Sequence, residues 1–486
     1  MMNASLSVAP LTPPPQSPSP SATPPRLAIP GSYGWPVIGP LSDRLQYFWL
    51  QGPKDFFAKR AEKYNSTVFR TNVPPAFPFF TGVNPNVVAV LDVKSFSHLF
   101  DMDLVEKSNV LVGDFMPSVN YTGGFRVCAY LDTAETKHAQ IKDFALDILK
   151  RSSSTWVSSM TTNLDAMFDS IESQLTTSGS SASYLFPLQE FLFAFLSLSL
   201  LGADALADPE IKKSGHIMLD KWLALQLLPT ISINILQPLE EIFLHSFSYP
   251  FWLVKSDYQK LANFIENGAK ETIERAQTEF KLSKEEAIHN LLFMLGFNAF
   301  GGFFLFLISL LSNLGEQQSI HEELRKEVRA KLSNSDLSFE AVKEMDLVNS
   351  FVYETLRMAP PVPQQYGRAR KDFDLHSHDA VYEIKKGELL CGYQPQVMKD
   401  PKIFENPEVF VYNRFSKEKR GDELLNYLFW SNGPQKGTTG PSASNKQCAA
   451  MDAVPQTAAV LLAYLFQRYD EISISSNSFT ALTKAK

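Results

Sequence analysis

Phe429-Trp430-Ser431-Asn432-Gly433-Pro434 opens a long loop rich in Gly, Ser, Pro and Thr, and Ser444-Asn445-Lys446-Gln447-Cys448-Ala449-Ala450 closes it, just before an apolar run that reads as a final helix over about 448–468. A single cysteine is more often a small buried apolar residue than a ligand. Cys128 and Cys391, set in apolar segments, fit that description. Cys448 differs in its position. At the head of a helix its sulfur would meet free backbone N–H groups and the positive end of the helix dipole, which suits an anionic, iron-binding thiolate.

Upstream of that loop the chain alternates little and repeats not at all. Apolar periodicity predicts helices over 135–150, 154–174, 185–203, 258–280, 284–312, 316–332, 339–344 and 346–358, with the Ser/Thr/Gly cluster 176–183 as a loop. Residues 66–93 and 372–393 read as short strands, the latter with a turn at Lys385-Lys386-Gly387. The fold class is mainly α with a minor β region, in one large domain. Residues 291–312 carry no charge over 22 positions, long enough to span a bilayer. The alternative is a helix buried on all sides, and Asn298, Gly301 and Gly302 at its centre favour that.

A chain of 486 residues with 44% hydrophobic and 20% charged residues is globular, and long enough to bury a core without staples. Three cysteines make no disulfide framework and fit a reducing compartment. Formal charge is −7, and no basic footprint for nucleic acid is present. Residues 1–40 hold 11 of the 31 prolines and no acidic residue. Proline-rich chain of this kind cannot be helical, so residues 1–28 read either as a disordered tail or as a plastid transit segment. Residues 29–486 form the domain, entered through a Gly/Pro strap over 29–40.

Three further features carry chemistry. Glu354 and Arg357, one helical turn apart in Tyr353-Glu354-Thr355-Leu356-Arg357, can pair, and Arg414 follows in Asn413-Arg414-Phe415. A Glu-x-x-Arg alone is usually a surface pair. His138 and Lys142 lie four apart on a predicted helix, where a solvated face is the bland alternative. The apolar helix has the centre Gly296-Phe297-Asn298-Ala299-Phe300-Gly301-Gly302, with no acid between Glu286 and Glu316 and no threonine in that interval.

Together these residues resemble the cytochrome P-450 superfamily, with Glu354, Arg357 and Arg414 in the place of its structural triad and Cys448 in the place of its haem-iron ligand. The departures narrow the resemblance. The cysteine loop is longer than usual, Ala450 stands where Gly is usual, and the central helix lacks the acid–Thr pair of oxygen-activating members. With Phe-Asn-x-x-Gly-Gly at 297–302 and Asn-Lys-Gln-Cys at 445–448, the chain after about residue 29 is similar to the plant fatty acid hydroperoxide-metabolising family: hydroperoxide lyases and the allene oxide, divinyl ether and epoxyalcohol synthases.

That resemblance implies a cytochrome P-450 fold and haem b (iron protoporphyrin IX), with Lys107, His138, Lys142 and Lys446 toward its propionates. It implies a fatty acid hydroperoxide substrate, no O2, no NADPH and no reductase. It also implies a chloroplast location, with peripheral contact with membranes because the substrates are lipids. The shared chemistry breaks the substrate O–O bond homolytically and leaves a carbon radical beside an epoxide, and the branches differ in how they treat that radical. Leu111 stands where allene oxide synthases generally carry Phe, Phe304 where they commonly carry Lys, and Ala450 is lyase-like; these point to a 13-hydroperoxide lyase giving a C6 aldehyde and a C12 oxo acid. Tyr121-Thr122-Gly123-Gly124 and Tyr366-Gly367-Arg368-Ala369 look synthase-like. Asn298 is the candidate for positioning the hydroperoxide, its alternative being an Asn tied to the helix backbone. Phe297, Phe300 and Phe303, with Leu111, are the candidates for the fatty-tail pocket. Leu111 as a packed core residue is the competing reading.

Overall fold

The computed structural model describes residues 24–75, 80 and 82–485. The expected disordered or transit stretch falls outside the described residues as far as residue 23. Residues 24–28, also expected in that stretch, are described. Strand β1 (Arg26–Leu27) pairs in parallel with β8 (Val381–Ile384), which pairs with β7 (Phe373–His376). The strap that follows packs on β2 (Val68–Asn72): the Arg70 amide donates to Pro30 O at 2.8 Å. Gly31 has φ +88°, and a Cβ there would lie 2.5 Å from Arg70 O, so only glycine lets the strap lie this close.

The largest sheet has five strands in the order β2, β3 (Asn86–Val90), β9 (Leu389–Tyr393), β6 (Gln364–Ala369) and β4 (Val105–Glu106). A third sheet orders β10 (Tyr469–Ser475), β11 (Ser478–Lys484) and β5 (Ala182–Ser183). Tyr366 of β6 opposes Cys391 of β9, and Cys391 is fully buried with its thiol pushed up to about 12 by that burial.

The rest is helical. One helix, Thr136–Ser178, replaces the two expected over 135–150 and 154–174. The Ser152-Ser153-Ser154 run does not break it, because each hydroxyl donates back to a carbonyl three residues earlier. It extends into the expected 176–183 loop and stops at Gly179, φ +65°, after which β5 forms. The central apolar helix runs from Lys284 to Glu316. It starts at a capping box: Ser283 Oγ accepts from the Glu286 amide and Glu286 Oε2 from the Ser283 amide. It is long and apolar enough to cross a membrane. Here it lies in the core, against helices Pro209–Leu227, Lys255–Gly268 and Leu185–Leu196 and strand β10. Its middle, Met294–Gly301, is a π-helical stretch that the uniform apolar pattern did not signal. The final helix begins at Ala453, five residues later than expected. Pro455 fits the first turn of a helix but not its interior, so the chain before it, including Cys448, is in turns.

Candidate functional site

The cysteine loop is stitched at its neck. The Cys448 amide donates to Ser431 O at 2.8 Å. Asn432, in the left-handed region at φ +62°, donates from Nδ2 to Lys446 O at 3.2 Å and accepts from Lys107 Nζ at 2.9 Å. Asn445 is buried and satisfied at both ends: Oδ1 accepts from the amides of Ser442 and Gln447, and Nδ2 donates to Thr438 Oγ1 and Gly440 O. These two asparagines hold the loop shape. Asn432 announced itself only through the Asn-Gly pair, a turn signal.

Cys448 is therefore not at the first turn of a helix, and the expected dipole effect is replaced by a local one. Burial pushes its thiol up, and the Ala450 amide and the Lys142 charge pull the other way. His138 and Lys142 project from helix Thr136–Ser178 onto the same loop: His138 Nδ1 lies 3.1 Å from Ala443 O, and Lys142 donates to Gln447 O. Lys446 donates to the carbonyls of Cys128, Ala129 and Leu131. Lys107, next to β4, is buried and reaches Asn432 and Gln365. The sequence candidates Lys107, His138, Lys142, Lys446 and Cys448 are thus gathered at one loop.

The cations are under strain. Burial, with Lys446 next, pushes Lys107 down to about 7. Lys446 is pushed down to about 8, mainly by burial, and His138 to about 4 by burial and then by Lys446 and Lys142. None of the three lysines has a carboxylate within ion-pair distance among the described residues; the nearby Asp132 and Glu135 are taken by Arg370 and Arg126. His138 Nε2 is buried without a partner. Buried lysines without counter-charge are costly, and such a group suits a ligand that brings carboxylates of its own.

Behind the loop, Glu354 and Arg357 are fully buried and Arg414 nearly so. Arg357 grips Glu354 through two bonds of 2.8 Å, and Arg414 Nε lies 3.1 Å from both carboxylate oxygens. The guanidinium groups also donate to the carbonyls of Met398, Glu405, Asn406, Pro407 and Val409, and the carboxylate accepts from the Val411 amide at 2.8 Å. The surface-pair reading is excluded; the triad ties the irregular 398–411 segment to the helix before β6.

The central helix carries the second group of sequence candidates. Asn298 is exposed, in the π-helical stretch, and Gly302 one turn on has no atom within 4 Å of where a Cβ would stand. Leu305 is 54% exposed although its neighbours Phe306 and Leu307 are fully buried. Asn298, Gly302 and Leu305 thus share one open, almost entirely apolar face. Gly296 and Gly301 face the other way and let helix Pro209–Leu227 approach: a Cβ would meet Trp222 at 2.7 Å and Leu223 at 2.4 Å. Of the phenylalanines expected in the pocket, Phe297 keeps accessible surface and stacks on Phe293 at 4.8 Å. Phe300 and Phe303 are only 0% and 6% exposed, because two to five residues from Asn298 a helix turns them into the core. Leu111 is partly buried against the main core, in a turn where its amide donates to Phe115 O at 2.8 Å.

Residues 304–436 match the family model described as cytochrome P450. A fatty acid hydroperoxide lyase, chloroplastic, from Solanum lycopersicum is 66% identical over 96% of this chain and 98% of its own length. The chain belongs to the fatty acid hydroperoxide-metabolising cytochrome P450 family. Allene oxide synthase 1, chloroplastic, also from Solanum lycopersicum, is 41% identical over 97% of this chain and 89% of its own. The heme domain of a cytochrome P450DA mutant has the same fold at 15% identity, with a TM-score of 0.67 covering 95% of this chain and 98% of that one. The cofactor of this family member is haem. The residues fit it: a half-buried cysteine, buried lysines without ion-pair partners around it, and an open apolar face on the central helix suit a flat porphyrin with two carboxylates.

Proposed function

We propose that this chain is a haem-thiolate fatty acid hydroperoxide lyase that cleaves 13-hydroperoxides of linoleic and linolenic acid to a C6 aldehyde and a C12 oxo acid. It uses neither O2, nor NADPH, nor a reductase. The observation that carries the reading is the contrast of 66% identity to a hydroperoxide lyase with 41% to an allene oxide synthase, both over nearly the whole chain. The chloroplastic designation of both relatives supports a plastid location, and lipid substrates support peripheral contact with membranes there. Residues 29–486 act as a single haem-thiolate domain.

Cys448 is the iron ligand, and Lys107, His138, Lys142 and Lys446 hold the propionates. Haem bound through a thiolate supplies homolytic scission of the substrate O–O bond. Asn298 donates from its amide to a hydroperoxide oxygen and fixes its place over the site. The open face beside it carries no acid, threonine or water-ordering pair, so it delivers no proton as an O2-splitting enzyme must. Phe297 and the accessible apolar surface around it hold the fatty tail. Leu111 presents an aliphatic side chain where an aromatic face would stabilise a carbon radical or cation; with haem bound, the epoxide C–C bond beside the radical would open, oxygen would recombine with the rearranged radical to give a hemiacetal, and the hemiacetal would collapse to one aldehyde and an enol that becomes the second. The alternative branch, a synthase, is favoured only by the two synthase-like stretches at 121–124 and 366–369. The test is anaerobic incubation of purified holoprotein with 9- and 13-hydroperoxides, without NADPH. Hexanal or hexenal from the 13-isomers is expected; ketols from allene oxide as the main product would overturn the lyase assignment.

A further inference from the structure

The Tyr121-Thr122-Gly123-Gly124 stretch is fastened to the central helix at His289, nine residues before Asn298. It forms a tight turn. Thr122 Oγ1 lies 2.6 Å from Phe125 O and 3.0 Å from Val119 O, and the Gly124 amide donates to Val119 O at 2.8 Å. Gly123 has φ +66°, and a Cβ there would stand 2.2 Å from His289 Nε2, so only glycine seats the turn this closely on the ring. Gly124, at φ +90°, has no atom within 4 Å of where a Cβ would stand. The close approach therefore belongs to one glycine of the pair.

The imidazole is held from its other sides too. Tyr258 OH lies 2.7 Å from His289 Nδ1, and the rings of Phe125 and Tyr258 each stack on it with centroids 5.7 Å away. Tyr258 packs on Phe251, and Phe251 on Tyr121. Trp222 Nε1 donates to Tyr121 O at 2.9 Å. Burial holds His289 below its ordinary 6.5, against the opposing effect of Glu285 one turn earlier. Near neutral pH the ring is thus uncharged, and Nδ1 accepts from the phenol.

From His289 an aromatic stripe runs along the helix. Residues 289, 293 and 297 are four apart, a spacing that makes side chains neighbours on a helix. The rings of Phe293 and Phe297 stack at 4.8 Å with 8° between their planes. Phe293 is buried, packed edge-on by Tyr130 at 5.7 Å and by Trp222 at 6.4 Å. Phe297 keeps accessible surface, and the exposed Asn298 follows it. The segment 118–130 thus grips the helix at two points, His289 and Phe293, and the second touches Phe297. Packed interiors transmit displacement rather than absorb it, so the seating of this grip decides where the Phe297 ring stands.

We propose that His289 is a positioning residue for the fatty tail of the substrate: by locking the 118–125 turn onto the central helix it sets Phe297 against the tail. The inference rests on the lyase reading above for the role of Phe297, and it extends that reading to a residue about two helical turns away.

The test compares holoprotein variants by two measurements: equilibrium dialysis with a 13-hydroxy fatty acid, which carries no O–O bond and is not turned over, and KM and kcat with the 13-hydroperoxide. Expected for His289→Leu is at least about tenfold weaker binding of the hydroxy acid and a matching rise in KM, with kcat within a few-fold and haem content and Soret band unchanged. Gly123→Ala should reproduce the loss from the side of the turn. It should exceed the loss in Gly124→Ala, which carries the same kind of backbone strain without the clash. His289→Ala removes the clashing ring, so a Gly123→Ala, His289→Ala double variant should bind no worse than His289→Ala alone. His289→Gln, whose amide can still meet the Tyr258 phenol, should recover part of the binding. Wild-type binding and KM in His289→Leu would overturn the proposal. So would equal losses in the two glycine variants, additive losses in the double variant, or loss of haem together with binding; each would reduce the contact to packing. Where His289→Leu fails to fold, the comparison of Gly123→Ala with Gly124→Ala decides alone. Binding of the hydroxy acid is read whatever products form, so a failure of the lyase reading would show separately, in the products of the wild type.

Discussion

On the cysteine side of the site, Asn432 and Asn445 each bridge parts of the 431–448 loop, three lysines and a histidine converge on it, and the Glu354–Arg357–Arg414 cluster braces the segment before it. By contrast, the central helix offers one amide, Asn298, on a face otherwise made of glycine, leucine and phenylalanine. The first region is polar and densely hydrogen-bonded, which suits the charged cofactor proposed for it. The second is apolar, with a π-helical stretch of the sort that recurs at functional sites, and it can steer a reactive lipid without protonating it. Under the proposed roles, such a division of labour would let a cytochrome P450 fold work on a ready-made O–O bond. Binding is assigned to one wall and product choice to the other, so mutations on the two walls should fail in different ways.

The sharpest break comes from Cys448→Ser. Loss of the thiolate should abolish the thiolate-type Soret and carbon monoxide spectra and lower aldehyde formation at least about a thousandfold, with the fold retained by circular dichroism. Next is Glu354→Ala, which strands two buried guanidinium groups; removing one partner of such a cluster costs about 3–5 kcal/mol, to be read from denaturant midpoints and from the yield of haem-loaded protein. Both act on the cysteine wall and should remove haem and activity together.

Asn298→Val separates the walls. It should leave the Soret band and stability in place and lower kcat about a hundredfold, the loss typical for one preorganised donor. Equal loss of haem would mean that the helix holds the cofactor and the comparison is wrong. On the cysteine wall, Lys107 sharpens it from the other direction. Its ammonium, pushed down to about 7 in the folded chain from an ordinary 10.5, opposes folding of the haem-free protein at any pH below 10.5, fully so below about 7. Haem-free protein should therefore gain stability as pH rises from 7 toward 10.5. Lys107→Met should flatten that dependence, raise haem-free stability at pH 7, and speed haem loss from the loaded protein. Urea midpoints at pH 7 and 9 and haem transfer to a scavenger protein measure both.

Much of this was legible in the chain because it is local. The Glu-x-x-Arg spacing, the Asn-Lys-Gln-Cys run and the bare centre of the apolar helix are short-range patterns; the first is a buried cluster with Arg414, while the cysteine precedes the last helix rather than opening it. What escaped reading depends on tertiary packing or on a single backbone angle. The burial of Phe300 and Phe303 away from Asn298 follows from which face of a uniformly apolar helix meets helix Pro209–Leu227, and hydrophobicity alone cannot rank faces that are all hydrophobic. The late start of the last helix was set by Pro455 rather than by the apolar run, and the role of Asn432 by a positive φ that a Lys107 nearly 330 residues distant exploits.

The smallest expected effect bears on product choice alone. Leu111 lies in the turn whose amide donates to Phe115 O, partly buried and packed on the core, so Leu111→Phe adds a ring at a place with some open surface and should cost stability no more than about 1–3 kcal/mol. Its consequence should be in partition. A ring face that stabilises the carbon radical or cation by about 1.4 kcal/mol relative to oxygen return shifts the product ratio tenfold, from aldehydes toward allene oxide, while total hydroperoxide consumption stays within a few-fold. Chromatography of products from one 13-hydroperoxide, with haem content matched by Soret absorbance, measures that ratio directly. An unchanged ratio would show that Leu111 is only a packing residue, and would leave the open face around Asn298 and Phe297 as the remaining candidate for deciding the fate of the radical.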